Sequence, residues 1–346
     1  MKIHGLILEK FLHSMKKIKI SIIGYGSIGK RHIDNLSKIP GIQILVLTNQ
    51  KSDSFLKKRN CIVFSDIKES LTFHPDFAII ANSTEQHVKT AIFLAKIGIH
   101  LFIEKPLSNN SKNITILKNL IHKKHLVTFL GSNLRFHPCI QKIHQLLKSN
   151  KIGLPLYVYV ENGSYLPDWH PHEDYRSSYA ANEEKSGGII LTNIHEIDYL
   201  YWFFGIPNSV FSMTEKLSKL KISSSDSSNI ILKFKNNISA MIHIDFFQKS
   251  TFRCCKIIGT KGMLYWDDRK NSVDFFNNKT SKWSTLMNIK NFNFNDTYMK
   301  EVLYFISCIK KSQHSSNDIV QSIQTLKIAL AIKQSSKLKK MVKVNV

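Results

Sequence analysis

Apolar strands alternate with helices up to about residue 130, which predicts a parallel sheet covered on both faces. A glycine-spaced turn joins the first of these strands to the first helix, as in doubly wound α/β domains. Longer alternating strands follow from Leu156 onward. They predict a second α/β domain built on a large, mostly antiparallel open sheet.

The elements follow in order. Ile18 to Ile23 is β-rich, with isoleucines at 18, 20, 22 and 23, and it stops at a glycine turn. Lys30 to Lys38 reads as helix. Ile42–Leu47, Ile62–Phe64, Phe77–Ala81 and Ile99–Ile103 read as further strands. Ser83 to Ile97 is helical, with Ser83 as its cap and Gln86 at the reciprocal capping-box position. After Pro106, residues 109–123 have helical spacing and 126–130 form another strand. His137 to Ser149 is a helix that buries Ile140, Ile143, Leu146 and Leu147. Residues 230–234, 239–246, 251–259 and 262–266 are neighbours in the second sheet, interrupted earlier by a helix over 189–204. Helices over 296–310 and 318–333 close the chain. Residues 218–228 read as a surface loop, and Lys337–Lys340 as a solvated tail. The expected division is a dispensable leader over 1–16, a nucleotide-binding domain over 17–133 and a substrate and oligomerisation domain over 134–346.

Composition excludes several classes. The chain has 346 residues, with 43% hydrophobic and 21% charged, so it is globular in balance. Lys plus Arg is 49 against 25 acidic residues, giving +24. That charge raises nucleic acid and anionic membranes as partners. The basic residues are dispersed, however, and no recognition module is visible, so neither is expected. The 5 cysteines lack ligand or disulfide spacing, which points to a reducing, cytoplasmic compartment. No apolar run reaches membrane-spanning length. The first residues, broken by Glu9 and Lys10, do not read as a signal peptide.

Gly24-x-Gly26-x-x-Gly29 lies between strand and helix, the setting of the Rossmann dinucleotide fingerprint. The first glycine makes the turn, the second admits a pyrophosphate and the third allows close helix packing. Gly24, Gly26, Ser27, Ile28 and Gly29 are therefore expected at the cofactor, with the helix N-terminus as anion site. The end of the second strand offers Asn49 to a ribose hydroxyl and has no carboxylate before Asp53. Lys51 and Ser52 could receive a 2′-phosphate, so NAD and NADP both remain open.

Glu104-Lys105-Pro106 ends the fifth strand, at the edge where ligands bind in such sheets. Pro106 restricts Lys105 to extended geometry. A lysine there can hold a substrate oxygen and stabilise developing negative charge.

Several stretches together resemble the glucose-fructose oxidoreductase / inositol dehydrogenase / MocA-like (Gfo/Idh/MocA) family. They are Ile23–His32, Asn82-Ser83-Thr84-x-x-His87, Glu104-Lys105-Pro106, Asn133–Pro138, and Gly187-Gly188 followed by His195-Glu196-Ile197-Asp198. The resemblance implies NAD(P)-linked redox chemistry on sugars, nucleotide sugars or cyclitols, and homodimers or homotetramers formed through the open sheet. It places Asn82, Ser83, His87, Glu104 and Lys105 near the cofactor, with His87 on a helix surface or cofactor edge and not an acid or base.

His195 is the expected acid/base, since imidazole transfers protons near neutrality. The family often has Asp one turn earlier, where this chain has Leu191; Thr192 or Asn193 is the nearest polar substitute. Asp198 either orients the imidazole or ties the chain together, and the structural role is preferred. Residues 165–176 are dense in aromatic and ionic groups. Trp169, His170 and Arg176 are its expected substrate contacts. Asn133 and Arg135 are expected beside the substrate, with Arg135 holding either an acidic substrate or the fold. His170 and His172 lack a third ligand, so no metal is expected. If the cleft is positively charged, a phosphorylated or carboxylated sugar follows, with Arg135 and Arg176 as its anion contacts. Two alternatives remain: a cofactor-retaining epimerase or lyase of the same fold, and a noncatalytic NAD-responsive binding protein.

Overall fold

The structure is a computed structural model that describes residues 18–344. The leader at 1–16 lies outside the described residues. The chain divides into two compact units. The first takes the chain up to Leu107, Lys112–Gly131 and Tyr298–Val320; the second takes Ser108–Ser111, Ser132–Thr297 and Gln321 onward.

The first unit is built on a six-stranded sheet of β1 (Ile18–Ile23), β2 (Ile42–Leu47), β3 (Ile62–Phe64), β4 (Phe77–Ile80), β5 (His100–Ile103) and β6 (Thr128–Leu130). Its order is β3-β2-β1-β4-β5-β6 and every pair is parallel. Strand β4 is wholly apolar and buried, and β5 is apolar and buried from Leu101 to Ile103 after a half-buried His100, as in parallel sheets covered on both faces. The order reverses between β1 and β4, which is where such sheets bind ligands. Helix α1 (Ser27–Leu36) leaves β1 through the glycine turn. It starts three residues before the expected Lys30, because Gly26 already serves as its N-cap.

Register aligns the strand ends. Ile23 pairs with Leu47 and with Ile80, Ile80 with Ile103, and Ile103 with Leu130. The next residue of each strand then donates its N–H to a neighbour's last carbonyl. Gly24 bonds Leu47 at 3.1 Å, Ala81 bonds Ile23 at 2.8 Å, Glu104 bonds Ile80 at 2.9 Å and Gly131 bonds Ile103 at 2.8 Å.

The stretch Tyr298–Val320 was expected in the second domain and instead packs within the first unit. Apolar matching explains this. Phe305, on the helix Asn295–Lys310, meets Phe77 at 5.2 Å edge-on, Phe102 at 5.8 Å and Phe129 at 6.2 Å between ring centroids. The following loop also covers the sheet edge at β6. Leu130 donates to the Asn317 carbonyl at 2.9 Å, Asn317 returns a side-chain bond to Leu130 at 3.0 Å, and Ser315 donates to Thr128 at 2.6 Å.

The second unit carries a nine-stranded sheet. Its strands are β7 (Pro155–Tyr165), β8 (Ser209–Glu215), β9 (Ser227–Lys233), β10 (Ser239–Asp245), β11 (Phe247–Gly259), β12 (Gly262–Asp267), β13 (Ser272–Asn277), β14 (Lys282–Asn288) and β15 (Val342–Lys343). All its pairs are antiparallel except β7 with β10, which is parallel. Alternation along β7 and β10 buries Val158, Val160, Ala240, Ile242 and Ile244 on one face.

Three expectations need correction here. Residues 218–228 are not wholly a surface loop, because Asp226 is buried and its carboxylate accepts from the Leu217 and Ser218 amides at 2.7 and 3.0 Å. Ser227 already opens β9. Lys337–Lys340 is solvated but is no free tail: the last helix runs Ile319–Leu338, and Val342 then pairs with Val210. The helix expected over 189–204 is two helices, Gly188–Thr192 and His195–Phe204, broken at Asn193 and Ile194.

Phe305→Ala should cost about 3–5 kcal/mol, the usual range for a buried phenylalanine truncated to alanine. Urea denaturation followed by near-ultraviolet dichroism measures it.

Candidate active site

In the first unit the glycine turn lies at the sheet's reversal point. Gly24 has φ +110, and a Cβ there would fall 2.5 Å from the Ala81 carbonyl oxygen. Only glycine fits. Gly29 is equally constrained, because its Cβ would fall 2.2 Å from the Gly24 oxygen. Gly26 differs: a Cβ there meets nothing within 4 Å. The open space lies at the start of α1, whose first turn carries neither a capping side chain nor an acidic residue. The bare amides leave a cradle with the chemistry of an anion site, so the segment fits a dinucleotide pyrophosphate. Ser27 is exposed and Ile28 half-buried at the same turn.

After β2, Asn49, Lys51 and Ser52 are all exposed. Asp53 caps the helix Ser54–Lys58 by accepting from the Leu56 amide at 3.0 Å. It also accepts the Tyr25 hydroxyl at 2.8 Å. The Leu56 amide and Tyr25 hydroxyl hold its carboxyl below the usual range.

Asn82 follows β4. Its Nδ2 donates to Thr90 at 3.0 Å, while its buried Oδ1 has no partner among the described residues. Ser83 stands at the N-cap of the helix Thr84–Lys96, but its hydroxyl makes no cap bond. The capping box expected with Gln86 is therefore a backbone turn only, in which the Gln86 amide donates to the Ser83 carbonyl at 2.8 Å. The exposed Ser83 hydroxyl stays available.

His87 lies neither on the helix surface nor on an open edge; it is 2% exposed. Its Nδ1 lies 2.9 Å from the Pro106 carbonyl and its Nε2 lies 3.0 Å from the Asn82 carbonyl. The ring braces two strand ends against each other. Burial holds its pKa below the ordinary imidazole value, and a neutral ring has one N–H, which donates a hydrogen bond to one of the two carbonyls at a time.

Glu104 is buried, and its Oε1 lies 2.5 Å from His32 Nε2. Its Oε2 accepts the Lys105 amide at 3.3 Å. Burial pushes the Glu104 pKa up, but the His32 bond and charge and the Lys105 charge prevail and hold it below the usual range. Lys105 itself is half-buried. His32, with Glu104 and Glu301, brings the metal-capable atoms of three buried side chains within 4.8 Å of one another. The exposed His170 and His172 belong to no such group among the described residues. Sequence reading quoted His32 only within a motif and passed over Glu301, which is far away in the chain. The available signal was position: His32 is three residues past Gly29, one turn into α1.

In the second unit, His195 opens the helix His195–Phe204 and is half-buried. Two ion pairs fix that helix. Glu196, fully buried, meets Arg253 Nε at 2.9 Å. Asp198 accepts from Arg135 twice, at 2.8 and 2.8 Å, with both side chains 3% exposed. The Asp198 carboxylate also accepts the Thr325 hydroxyl at 3.2 Å. Asp198 therefore has the structural role, and Arg135 holds the fold. Asn133 is similarly engaged, donating to Thr297 at 2.9 Å while buried. Of the two polar substitutes, Thr192 donates to its own helix at the Gly188 carbonyl, 2.9 Å away. Asn193 accepts from Asn162 at 3.3 Å, and its buried Nδ2 has no partner among the described residues. The helix break at Asn193 thus leaves an amide unpaired among the described residues, two positions before His195.

The loop after β7 is less uniform than expected. Trp169 is anchored by donating to Ser164 at 3.0 Å and meeting Phe246 edge-on at 5.4 Å. His170 is exposed. Arg176 is also exposed, but its guanidinium is engaged in a fork with Asp174, at 2.8 Å from Nε and 2.6 Å from Nη2. Neither arginine expected at an anion is therefore unpaired.

Comparison with known proteins agrees with this architecture. Residues 18–132 match the model for the oxidoreductase family with NAD-binding Rossmann fold, and residues 140–265 match the GFO/IDH/MocA C-terminal domain. The chain belongs to the Gfo/Idh/MocA family. It is 24% identical over 340 residues to myo-inositol 2-dehydrogenase of Thermotoga maritima, covering 94% of this chain and 98% of that one. It is 22% identical over 271 residues to UDP-N-acetylglucosamine 3-dehydrogenase of Acidithiobacillus ferrooxidans, covering 76% of each. A solved levoglucosan dehydrogenase, in complex with NADH and levoglucosan, superposes with TM-score 0.85 at 16% identity, covering 95% of this chain and all of that one. This Gfo/Idh/MocA protein thus has a Rossmann first unit and a mixed-sheet second unit.

Two outcomes follow. Gly24→Ala should lower the melting temperature markedly. Gly26→Ala should leave it within about 2 °C yet weaken NADH binding about tenfold or more by filling the cradle. Fluorescence titration and thermal melts separate the two. For His87, the depressed native pKa means that below about pH 6.5 the unfolded chain binds more protons than the folded one. Stability contributed by this group therefore falls as pH falls through that window. His87→Gln should flatten the acid side of a plot of urea midpoint against pH.

Proposed function

We propose that this chain is an NAD(P)-dependent dehydrogenase acting on a secondary carbinol of an uncharged polyol: a sugar, a cyclitol or the sugar part of a nucleotide sugar. The observation that carries the reading is the row of strand ends in the first unit, where the open cradle at Gly26 and the held turn at Lys105 share one sheet edge. The nicotinamide cofactor, when bound, supplies the hydride acceptor or donor. Lys105 steadies the carbinol oxygen as charge develops on it. The proton goes to His195, which its ion-paired helix holds in a fixed orientation. Asn193 offers its unused amide in place of the carboxylate the family often has there. In reduction each transfer reverses.

The relatives named for myo-inositol, UDP-N-acetylglucosamine and levoglucosan support a polyol-type substrate. The engaged arginines favour an uncharged ring over a sugar acid or sugar phosphate. We prefer such a ring to the anionic sugar that a positively charged cleft would favour.

The test is nicotinamide absorbance with each cofactor against a panel of cyclitols, anhydrosugars, free sugars, nucleotide sugars and sugar phosphates. Turnover should be found with an uncharged ring, and Lys105→Ala and His195→Ala should each reduce kcat by roughly 100-fold or more. Unchanged turnover in both variants overturns the assignment. Product formed without net change in NAD(P)H would identify an epimerase or lyase instead.

A further inference from the structure

Behind Lys105 lies a buried cluster of three titratable side chains. His32 is 0% exposed, and its Nε2 lies 2.5 Å from Glu104 Oε1. Glu301 is also 0% exposed, and the three groups' polar atoms lie within 4.8 Å of one another. Two carboxylates and an imidazole placed together out of water carry a large desolvation cost. Such groups stay buried where they are paired, share a proton or hold a metal ion.

Their location shows what the sharing does. Glu104 is the last buried residue before Lys105, and its second oxygen accepts the Lys105 amide at 3.3 Å. Space for that carboxylate exists because residue 131 is glycine: a Cβ there would fall 3.0 Å from Oε2. On the far side of the turn, His87 Nδ1 lies 2.9 Å from the Pro106 carbonyl. The backbone on either side of Lys105 is thus held by two imidazoles, one from α1 and one from the helix Thr84–Lys96. Aromatic rings close off the first. Phe102 lies 5.3 Å edge-on from His32 and Tyr298 lies 6.5 Å away, with Arg31 stacked over the Tyr298 ring at 4.5 Å.

We infer that His32, Glu104 and Glu301 form a buried proton-sharing network whose task is to position Lys105 for the redox step. His32 and Glu301 are positioning residues; they act through the Glu104 carboxylate on the Lys105 backbone. A metal centre is the competing use of these three side chains. The 2.5 Å contact argues against it, because two ligands each about 2 Å from a zinc ion stand farther apart than a shared proton allows.

The inference rests on the Lys105 assignment, so one measurement is chosen to stand apart from it. Full-length His32→Ala, His32→Gln and Glu301→Gln proteins are compared with wild type by amide hydrogen exchange, NADH titration and steady-state kinetics on the polyol that wild type oxidises. In His32→Ala, exchange at the Lys105 amide should rise while β1 and β4 peptides stay protected. Its kcat should fall roughly 10- to 100-fold, as expected for a displaced reacting group, with KM and NADH affinity within about twofold. His32→Gln restores a donor at similar reach and should recover most of both. If His32→Ala does not fold, Glu301→Gln carries the same expectations.

Unaltered Lys105 exchange in a folded variant overturns the inference, and so does unaltered kcat. Stoichiometric zinc in the purified wild type, lost in His32→Gln, overturns it in favour of a metal centre. If wild type oxidises no polyol, the functional reading falls, and the exchange result alone still decides the network.

Discussion

The first unit depends on one constraint: five parallel strands end in register. Each strand's following residue donates to its neighbour's last carbonyl, so Gly24, Ala81, Glu104 and Gly131 stand in a single row. Hydrogen bonding fixes that row before any side chain chooses a role. The features of the site are then consequences of position. Gly24 must be glycine because Ala81 is beside it. Gly131 leaves room for the Glu104 carboxylate, which sits between α1 and the turn bearing Lys105. A one-residue slip in any strand would turn its side chains to the opposite face and dismantle the row.

The second unit reaches a similar end by different means. His195 begins a short helix that follows a break, where fraying would be expected. Two guanidinium–carboxylate pairs, the part-buried Arg253 with buried Glu196 and the fully buried Arg135 with Asp198, hold the first turn of that helix. Removing one partner would leave the other charge buried and unpaired, which is far costlier than losing a surface pair. Nearby, Lys333 binds both Glu183 at 2.8 Å and the Gly187 carbonyl at 2.7 Å. That contact ties the last helix to the glycine pair leading into the break.

Much of this was legible in the sequence, for identifiable reasons. Continuous apolar runs such as Phe77–Ile80 and the glycine spacing are local signals, and local signals give strands, turn and helix directly. The pairing of β7 with β10, the return of Phe305 to the first sheet and the meeting of His32 with Glu301 are long-range events. No window of sequence contains both partners. His87 was misplaced for a related reason: its neighbours Glu85, Gln86 and Lys89 are exposed, while its own side chain turns inward to carbonyls at Asn82 and Pro106. The two-helix break at Asn193 was hidden because residues 189–204 contain no glycine or proline to mark it.

Charge was the feature most open to misreading. The chain has six arginines, and each has a partner within its own unit. Arg59 pairs with Asp34, Arg135 with Asp198, Arg176 with Asp174, Arg253 with Glu196 and Arg269 with Asp267, while Arg31 stacks on Tyr298. The excess of +24 is therefore lysine. Lysine presents a hydrated point charge on a flexible stem and lacks the planar fork that grips a carboxylate or phosphate at two points. A lysine-rich surface raises the general potential without building a defined anion site. The positive charge thus bears on solubility and encounter and supplies no two-point grip of its own on an anion.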